Sequence, residues 1–509
     1  MHNKRDWLIF LVLVSIIAIF KLLPSLAEPL DNDSGAVAYE ARLITRGEPL
    51  YSIAHHPVHH LPAIFYTNAL GFILLGDNPN TPKLILFPFT LACAWILFIA
   101  GRALINQRAG LLAAIFFILV SSEVIIKGTT AETEHFANLP LTAGTFLAIF
   151  LIRKNAPAWQ FISIGILSAI CLLYKAIYIA PLAVAGISIL VSAWLERSWK
   201  IAFARLLWMA IGLIFPIATV VFYFARLGLW ERILLVFKLG TSYVNTGALY
   251  DWLPAPFGFP IFWMGVTNAA LLILGLAGIY HFWGRIFPLR TRDNLTNLAL
   301  ALWFFVSLIE AGLRGGGWEN YALLVIPSFA FMGAYEIEET YRRLQIRLSE
   351  NRARLEAGFL VFFVIANFTF ANYQFYNHYL LYKLGAITYD DFILGYEGTT
   401  GTGANALNAK KIGEYIAART GPNDFIYSAS FNVQIYYYAN RLAPVDMIWP
   451  DRLSYSISPE RVFEPGTKYI ILDPPSKLIY PEEFIEPLTQ YYHLEKVIGE
   501  MSIYRRNSP

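Results

Sequence analysis

Residues 29–51 have the sequence "PLDNDSGAVAYEARLITRGEPLY" and follow directly on the first long apolar run of the chain. Two aspartates, Asp31 and Asp33, therefore lie within a few residues of a segment of membrane length. Acidic groups are costly near hydrocarbon and usually mark function there. The stretch predicts a functional carboxylate at a membrane surface.

The composition indicates that lipid is the natural solvent for most of the chain. Of its 509 residues, 57% are hydrophobic and 15% are charged, whereas about 25% of residues are charged in typical soluble domains. The 29 Tyr and 13 Trp residues suit rings anchored at membrane interfaces. A net charge of +3 is too small to indicate a nucleic-acid partner. Cys93 and Cys171 both lie in apolar runs, which is typical of small core residues rather than a disulfide or metal site.

Apolar runs long enough to cross a bilayer predict about eleven transmembrane helices. The first run has a basic start and lacks a small-x-small cleavage site, so it predicts an uncleaved first span. The predicted spans are 7–24, 83–101, 109–126, 134–152, 158–175, 177–194, 201–224, 261–281, 296–313, 319–336 and 356–372. Lys and Arg occupy alternate loops. The positive-inside rule therefore predicts a multi-pass protein of the cell membrane with a cytoplasmic N-terminus and an extracytoplasmic segment after residue 372.

The distribution of apolar runs predicts a transmembrane domain over 1–372 and a small extracytoplasmic α/β domain over 373–509. The first outer loop, 25–82, predicts two amphipathic helices near 34–46 and 62–75 that lie in the membrane interface. The tail alternates helix-like pieces such as "ANALNAKKIGEYIAART" with strand-like pieces such as "KYIILDPP". The sequence contains no P-loop and no dinucleotide fingerprint.

Polar residues at the outer ends of several spans predict one convergent pocket above the apolar bundle. Besides the two aspartates, these are His59 and His60 of "HHPVHH", Glu132 and Glu134 of "TTAETEH", Lys175 of "LLYKAIY", and Arg314, Trp318, Glu319, Asn320 and Tyr321 of "LRGGGWENY".

Several of these residues also have an ordinary structural explanation. Asp33 is either the cap of a helix that starts near Ala36 or a general base. Glu132 and Glu134 either complement a helix dipole or line the pocket. Lys175 either extends its ammonium group to the interface or binds a lipid phosphate.

The histidine cluster has the spacing of a metal site. His55 and His59, like His56 and His60, are four residues apart and would share a helix face. Pro57 interrupts the run, however. Binding of a donor phosphate, or a purely structural role, is therefore favoured over a metal.

The order and sidedness of these motifs resemble those of membrane glycosyltransferases with the GT-C fold. The resemblance is to bacterial relatives of the protein O-mannosyltransferases and of the aminoarabinose transferase of lipid A, a glycosyltransferase family 39-like group. The matching motifs are "DND", "YEARLITRGEPLY", "HHLPAIFYTNALGFILLG", "TAETEHFANLPLTAG", "LLYKAIYIAPLA" and "RGGGWENYALLVIPSFAFMGA".

The resemblance implies a fold class and a catalytic residue. The fold would be mainly α: a polytopic GT-C fold of about eleven transmembrane helices, with interfacial helices in the first outer loop and a small C-terminal α/β domain. The catalytic carboxylate would be Asp33, with Asp31 as the alternative, because relatives often have Asp-Glu where Ser34 follows Asp33 here. Relatives also often have Lys where this chain has His60 and Leu61, so the contact to the donor phosphate differs.

The expected reaction is transfer of a hexose or pentose from a polyprenyl phosphate donor to an acceptor hydroxyl on the extracytoplasmic face. Asp33 would deprotonate the acceptor, which attacks the anomeric carbon with inversion. Lys175 and Arg314, with His59 or His60, would stabilise the departing phosphate. The acceptor is a lipid, glycan or protein, and no nucleic acid takes part.

A phosphate leaving group does not demand a metal, so no cofactor is expected to be required, with a divalent metal as the alternative. Two other functions stay open. A transporter or lipid flippase would place polar residues deep in the spans and show repeat symmetry. A non-catalytic envelope scaffold would use the tail as a binding module.

Overall fold

Helices form most of the structure, and a four-stranded sheet lies near the C-terminus. The structure, a computed structural model, describes residues 4–52, 60–242, 255–289, 291–313, 318–396, 403–445, 459–474, 480 and 482–507. The helices are α1 (Lys4–Ile17), α2 (Asn32–Thr45), α3 (Pro62–Leu75), α4 (Thr81–Leu104), α5 (Gln107–Val120), α6 (Thr133–Arg153), α7 (Ile162–Tyr174), α8 (Ala180–Glu196), α9 (Trp199–Arg226), α10 (Trp230–Ser242), α11 (Ala255–Trp283), α12 (Arg292–Gly312), α13 (Ile326–Arg347), α14 (Glu350–Lys383), α15 (Tyr389–Leu394), α16 (Gly403–Ala417), α17 (Gln434–Ala439), α18 (Pro459–Val462) and α19 (Glu482–Tyr491). The strands are β1 (Phe425–Ala429), β2 (Thr467–Leu472), β3 (Tyr492–Ile498) and β4 (Met501–Arg506).

The chain forms two compact units. The first contains Met1–Ser25, Leu86–Ala225 and Phe237–Gln374, and the second contains Leu26–Ile85, Arg226–Val236 and Phe375–Pro509. The predicted domain boundary at residue 372 lies close to the last of these divisions. The first loop, which the sequence assigns to the transmembrane domain, groups instead with the C-terminal part.

Helices occur at all eleven places where the sequence predicts a span. Among the described residues, seven helices are long and apolar enough to cross a membrane: α1 with its continuation to Ser25, α4, α6, α9, α11, α12 and α14. Four further helices lie at predicted spans but do not reach this length or apolarity, for two reasons; they are α5, α7, α8 and α13. Helices α5, α7 and α8 are shorter apolar helices, because bends and a 3₁₀ turn interrupt the apolar runs. Helix α13 has 22 residues, but its second half is rich in Glu and Arg.

Close helix packing in the first unit depends on small residues, as expected in a membrane. A Cβ atom added at Gly165 in α7 would lie 2.0 Å from the Met209 carbonyl oxygen of α9. One added at Gly212 in α9 would lie 2.1 Å from the Ile162 carbonyl oxygen. Only glycine allows the two backbones to approach this closely.

The second unit contains the sheet, whose strand order is β1-β2-β4-β3. Strands β1 and β2 are parallel, whereas the β2–β4 and β4–β3 pairs are antiparallel. Its core includes Tyr39 of α2, Tyr436 of α17 and Ile470 of β2, all of which are buried. Both helices predicted in the first loop are present, as α2 and α3. Helix α2 is packed inside the second unit, where Asn32 and every residue from Ser34 to Leu43 are buried.

Candidate active site

Two glutamates lie at the start of α6 in the first unit. Glu132 directly precedes the helix in extended conformation and makes no side-chain cap, and Glu134 lies in the first turn. Their exposed fractions are 2% and 0%. A helix dipole favours carboxylates at this end, but full burial requires further partners, because a buried charge is costly unless it is paired.

Lys175 supplies one of those partners. It follows the last residue of α7 in extended conformation, and 8% of its surface is exposed. Its Nζ lies 2.5 Å from Glu134 Oε1 and 2.8 Å from the Tyr321 hydroxyl. The Tyr178 hydroxyl donates to the same Glu134 oxygen at 3.0 Å. Lys175 thus points into the protein rather than out to the interface.

A second buried ion pair joins the first through an amide. Lys127 Nζ lies 3.4 Å from Glu132 Oε1, and the Thr130 hydroxyl donates to the same oxygen at 3.2 Å. Asn320 Nδ2 lies 3.3 Å from Glu132 Oε2 and 3.3 Å from Glu134 Oε2. We call this set the ion-pair network; its members are Lys127, Thr130, Glu132, Glu134, Lys175, Tyr178, Asn320 and Tyr321.

The ion-pair network balances two ammonium groups against two carboxylates. Desolvation of buried charges can exceed their mutual attraction, so well-packed apolar residues of similar size are often at least as stable. A network of this kind, held by three separate segments of one unit, is therefore a functional-site candidate. Its ammonium and hydroxyl groups are suited to contact an anionic ligand such as a phosphate.

The loop that carries Lys127 is held by a lysine that the sequence analysis did not single out. Lys21 lies in a π-helical turn that continues α1. Its Nζ donates to the Ser121 and Gly128 carbonyl oxygens at 2.7 and 2.5 Å, and it lies 3.4 Å from the His135 ring. A single lysine within an apolar span is the signal that could have identified it.

Glu310 holds the loop that carries Lys175, and it too was not singled out from the sequence. It lies near the end of α12 and is buried. Its Oε1 accepts from the backbone N–H groups of Ile179 and Ala180, both at 2.5 Å. These groups are at the start of α8, where a helix favours a carboxylate.

The two aspartates of the opening motif belong to the second unit. Asp31 is the N-cap of α2, and its carboxylate accepts from the Ser34 backbone N–H at 3.0 Å and from the Ser34 hydroxyl. The helix begins at Asn32 rather than near Ala36, so the capping function suggested for Asp33 is performed by Asp31. Asp33 lies in the first turn and is half-buried.

The remaining predicted residues fall into three groups. Trp318 and Glu319 begin the 3₁₀ turn that carries Asn320 and Tyr321; Trp318 is half-exposed and Glu319 is buried. His60 of the second unit is buried, and its carbonyl oxygen accepts from the Tyr51 hydroxyl at 2.9 Å. Arg314, His55, His56 and His59 lie outside the described residues.

Solved structures share this architecture over the full chain. ArnT from Cupriavidus metallidurans in the apo state is 14% identical, with a TM-score of 0.60 and coverage of 98% of each chain. ArnT bound to undecaprenyl phosphate is 12% identical, with a TM-score of 0.59 over 99% of this chain and 98% of that chain. The chain has the GT-C fold.

An archaeal protein extends the comparison. The oligosaccharyltransferase AglB from Archaeoglobus fulgidus, in complex with an inhibitory peptide and a dolichol-phosphate, is 12% identical with a TM-score of 0.56. The match covers 97% of this chain and 73% of AglB. Comparison with protein-family models and with curated protein sequences gives no match.

Proposed function

We propose that this protein is an inverting glycosyltransferase that moves a sugar from a polyprenyl phosphate donor to an acceptor hydroxyl at the extracytoplasmic face of the membrane. The observation that carries the proposal is the full-length likeness in fold to ArnT, whose crystal structure holds undecaprenyl phosphate. The likeness to AglB, solved with a dolichol-phosphate, supports the same class of donor.

The proposed reaction is a single displacement. Asp33 accepts the proton of the acceptor hydroxyl, and the hydroxyl oxygen forms a bond to the anomeric carbon. The bond between that carbon and the phosphate oxygen breaks, and the electron pair leaves with the polyprenyl phosphate. Attack from the side opposite the leaving group inverts the anomeric configuration. Because Asp31 caps α2, Asp33 is the preferred base of the pair.

The departing phosphate gains negative charge, which fixed cations stabilise. We assign this task to Lys175 together with Arg314 and one of His59 and His60. Support for Lys175 comes from its contacts, since Glu134 and Tyr321 hold its ammonium group in one position. A group held in place before the reaction does not need to reorganise during it.

The other predicted site residues are assigned to substrate contacts. These are Glu132, Trp318, Glu319, Asn320 and Tyr321. The acceptor is a lipid, glycan or protein, and the second unit is the proposed acceptor contact. No metal is required in this scheme; a divalent ion is the alternative, and chelation before assay separates the two.

A transporter or flippase also predicts polar residues within spans, and three helices long and apolar enough to cross a membrane contain the buried Lys21, Asn268 and Glu310. Their shortest contacts, however, are to backbone groups of the same unit. Lys21 and Glu310 hold loops as described above, and Asn268 donates to the Val364 carbonyl oxygen at 3.1 Å. These bonds give the residues a structural task, so the observation favours the enzyme.

The proposal is tested by mass spectrometry of envelope glycans and glycolipids from cells with the wild-type protein and with an Asp33→Asn variant at equal abundance. We expect one glycan or glycolipid to lose a single sugar residue in the variant. Identical envelope glycans in the two strains would contradict the proposal. Loss of a complete lipid species from the outer leaflet, without loss of a sugar, would instead indicate a flippase.

A further inference from the structure

A groove in the first unit, at the opposite end of α13 from the ion-pair network, lies between α5, α13 and α14. Its volume is about 430 Å³. Arg108 and Arg354 line it at the beginning of α5 and α14, together with Tyr341 of α13. Leu112, Gly358 and Val361, which lie one or two helical turns further on, form its apolar part. The groove is thus cationic at one end and apolar along its length.

Both arginines line the groove together with the Tyr341 ring. Both arginines lower the pKa of Tyr341, and Arg108 has the larger effect. The Arg108 guanidinium also lies 5.2 Å from the centre of the Tyr341 ring. Tyr341 lies outside the predicted span 319–336. The proposed transfer reaction does not explain why two cations and a tyrosine lie at the end of an apolar groove.

The charges around the groove leave an excess of positive charge. Glu338 lines it, but its Oε1 lies 3.3 Å from Arg342 Nε. Arg354 pairs with Glu350. Within the part of the chain that the structure describes, Arg108 forms no ion pair with a carboxylate. The guanidinium of Arg108 can therefore bind an external anion.

We propose that this groove binds one anionic phospholipid. The phosphate diester of the headgroup lies between Arg108 and Arg354, and one acyl chain lies along Leu112, Gly358 and Val361. Planar guanidinium groups bind phosphate oxygens in pairs, and basic pockets between helices on the cytoplasmic side bind lipid headgroups. A phospholipid contacts both the cationic end and the apolar part of the groove, whereas a free phosphate contacts only the cationic end.

The experiment is native mass spectrometry of the full chain in detergent, titrated with phosphatidylglycerol, with phosphatidylcholine of the same acyl chains, and with inorganic phosphate. We expect one phosphatidylglycerol to bind in preference to phosphatidylcholine, and millimolar phosphate to leave it bound. Equal binding of the two lipids would overturn the proposal. Displacement by phosphate would also overturn it, because the site would then recognise a free anion.

Two sets of variants test the geometry. Arg108→Gln with Arg354→Gln should weaken phosphatidylglycerol binding by about thirtyfold, since each arginine near an anionic headgroup contributes about a fivefold effect. The matched control, Arg347→Gln with Arg352→Gln, removes the same charge from neighbouring turns outside the groove and should have little effect. Equal weakening in both would show general surface attraction and overturn the site.

Gly358→Leu tests the apolar half without altering charge. A Cβ atom added at Gly358 has no heavy atom within 4 Å, so the larger side chain fits the fold and fills the groove. We expect it to abolish phosphatidylglycerol binding while the thermal unfolding midpoint stays within a few degrees of wild type. Unchanged lipid binding would show that no acyl chain lies there and would overturn the proposal.

Discussion

At the scale of single residues, the ion-pair network shows how buried charges are tolerated in this fold. Glu134 is fully buried, and its carboxylate contacts one ammonium, one amide and one phenol group. Each partner offsets part of the desolvation cost. The stability of the folded protein therefore depends strongly on each single charge, and much less on a balanced pair of charges that is removed together.

We expect Glu134→Gln and Lys175→Met each to lower the free energy of unfolding by about 3–5 kcal/mol, because each leaves one buried charge without its counterion. The double variant should be markedly more stable than either single variant, and it should still lack transferase activity. The measurement is denaturant-induced unfolding of the four proteins in detergent micelles.

An exposed pair provides the control for this cycle. Arg153 Nη2 lies 3.7 Å from Asp293 Oδ1, and the two side chains are 40% and 80% exposed. Asp293→Asn should change stability by less than about 1 kcal/mol. Additive losses in the Glu134 and Lys175 double variant would show that the two groups do not form a coupled pair.

At the scale of elements, the position of α2 depends on a close contact to α17 within the second unit. A Cβ atom added at Gly35 would lie 2.1 Å from the Gln434 Cβ and 2.8 Å from its Cα. The first turn of α2 contains Asp33 and ends close to this contact. The glycine therefore fixes the place from which the proposed base acts.

Gly35→Ala should destabilise the protein by about 1–3 kcal/mol, as overpacking in a close contact does. It should also reduce transferase activity in the fraction that stays folded, because α2 must move. Gly186→Ala in α8 is the matched control, since a Cβ atom added there meets nothing within 4 Å. Thermal unfolding and turnover of both variants are measured together, and equal behaviour of the two would contradict the packing argument.

The sequence predicts those elements that a local pattern of apolar residues marks, and it does not predict contacts between distant parts of the chain. Long apolar runs placed the helices, because a bilayer requires about 20 apolar residues for a crossing. The burial of α2 could not be predicted, because "NDSGAVAYEARLIT" has a polar composition and its partner α17 lies almost 400 residues later in the chain.

Part of the candidate site follows from the position of polar residues at the ends of apolar runs. The residues that the sequence places there and that contact one another within the first unit are Glu132, Glu134, Lys175, Asn320 and Tyr321. Three buried charges have no such signal in the sequence, because each is a single charge in or beside an apolar run; they are Lys21, Lys127 and Glu310.

At the scale of the whole molecule, sidedness is the prediction on which the donor assignment depends. The alternation of Lys and Arg between loops predicts that the segment after residue 372 is extracytoplasmic. Protease added to intact spheroplasts should cleave the tail, and it should leave a tag at the N-terminus intact. A tail that is cut only after the membrane is permeabilised would reverse the orientation and place the proposed site on the wrong leaflet.

The central claim is transfer from a polyprenyl phosphate sugar with Asp33 as the base. The most direct measurement is release of polyprenyl phosphate from synthetic sugar donors by the purified protein, with an envelope extract as acceptor. Wild type should release it with at least one donor. Asp33→Asn should reduce the rate by about 100- to 10,000-fold at an unchanged unfolding midpoint, whereas Asp31→Asn should keep most activity because Asn caps helices about as well as Asp. Near-normal release by the Asp33→Asn variant, or loss in the Asp31→Asn variant alone, would contradict this account.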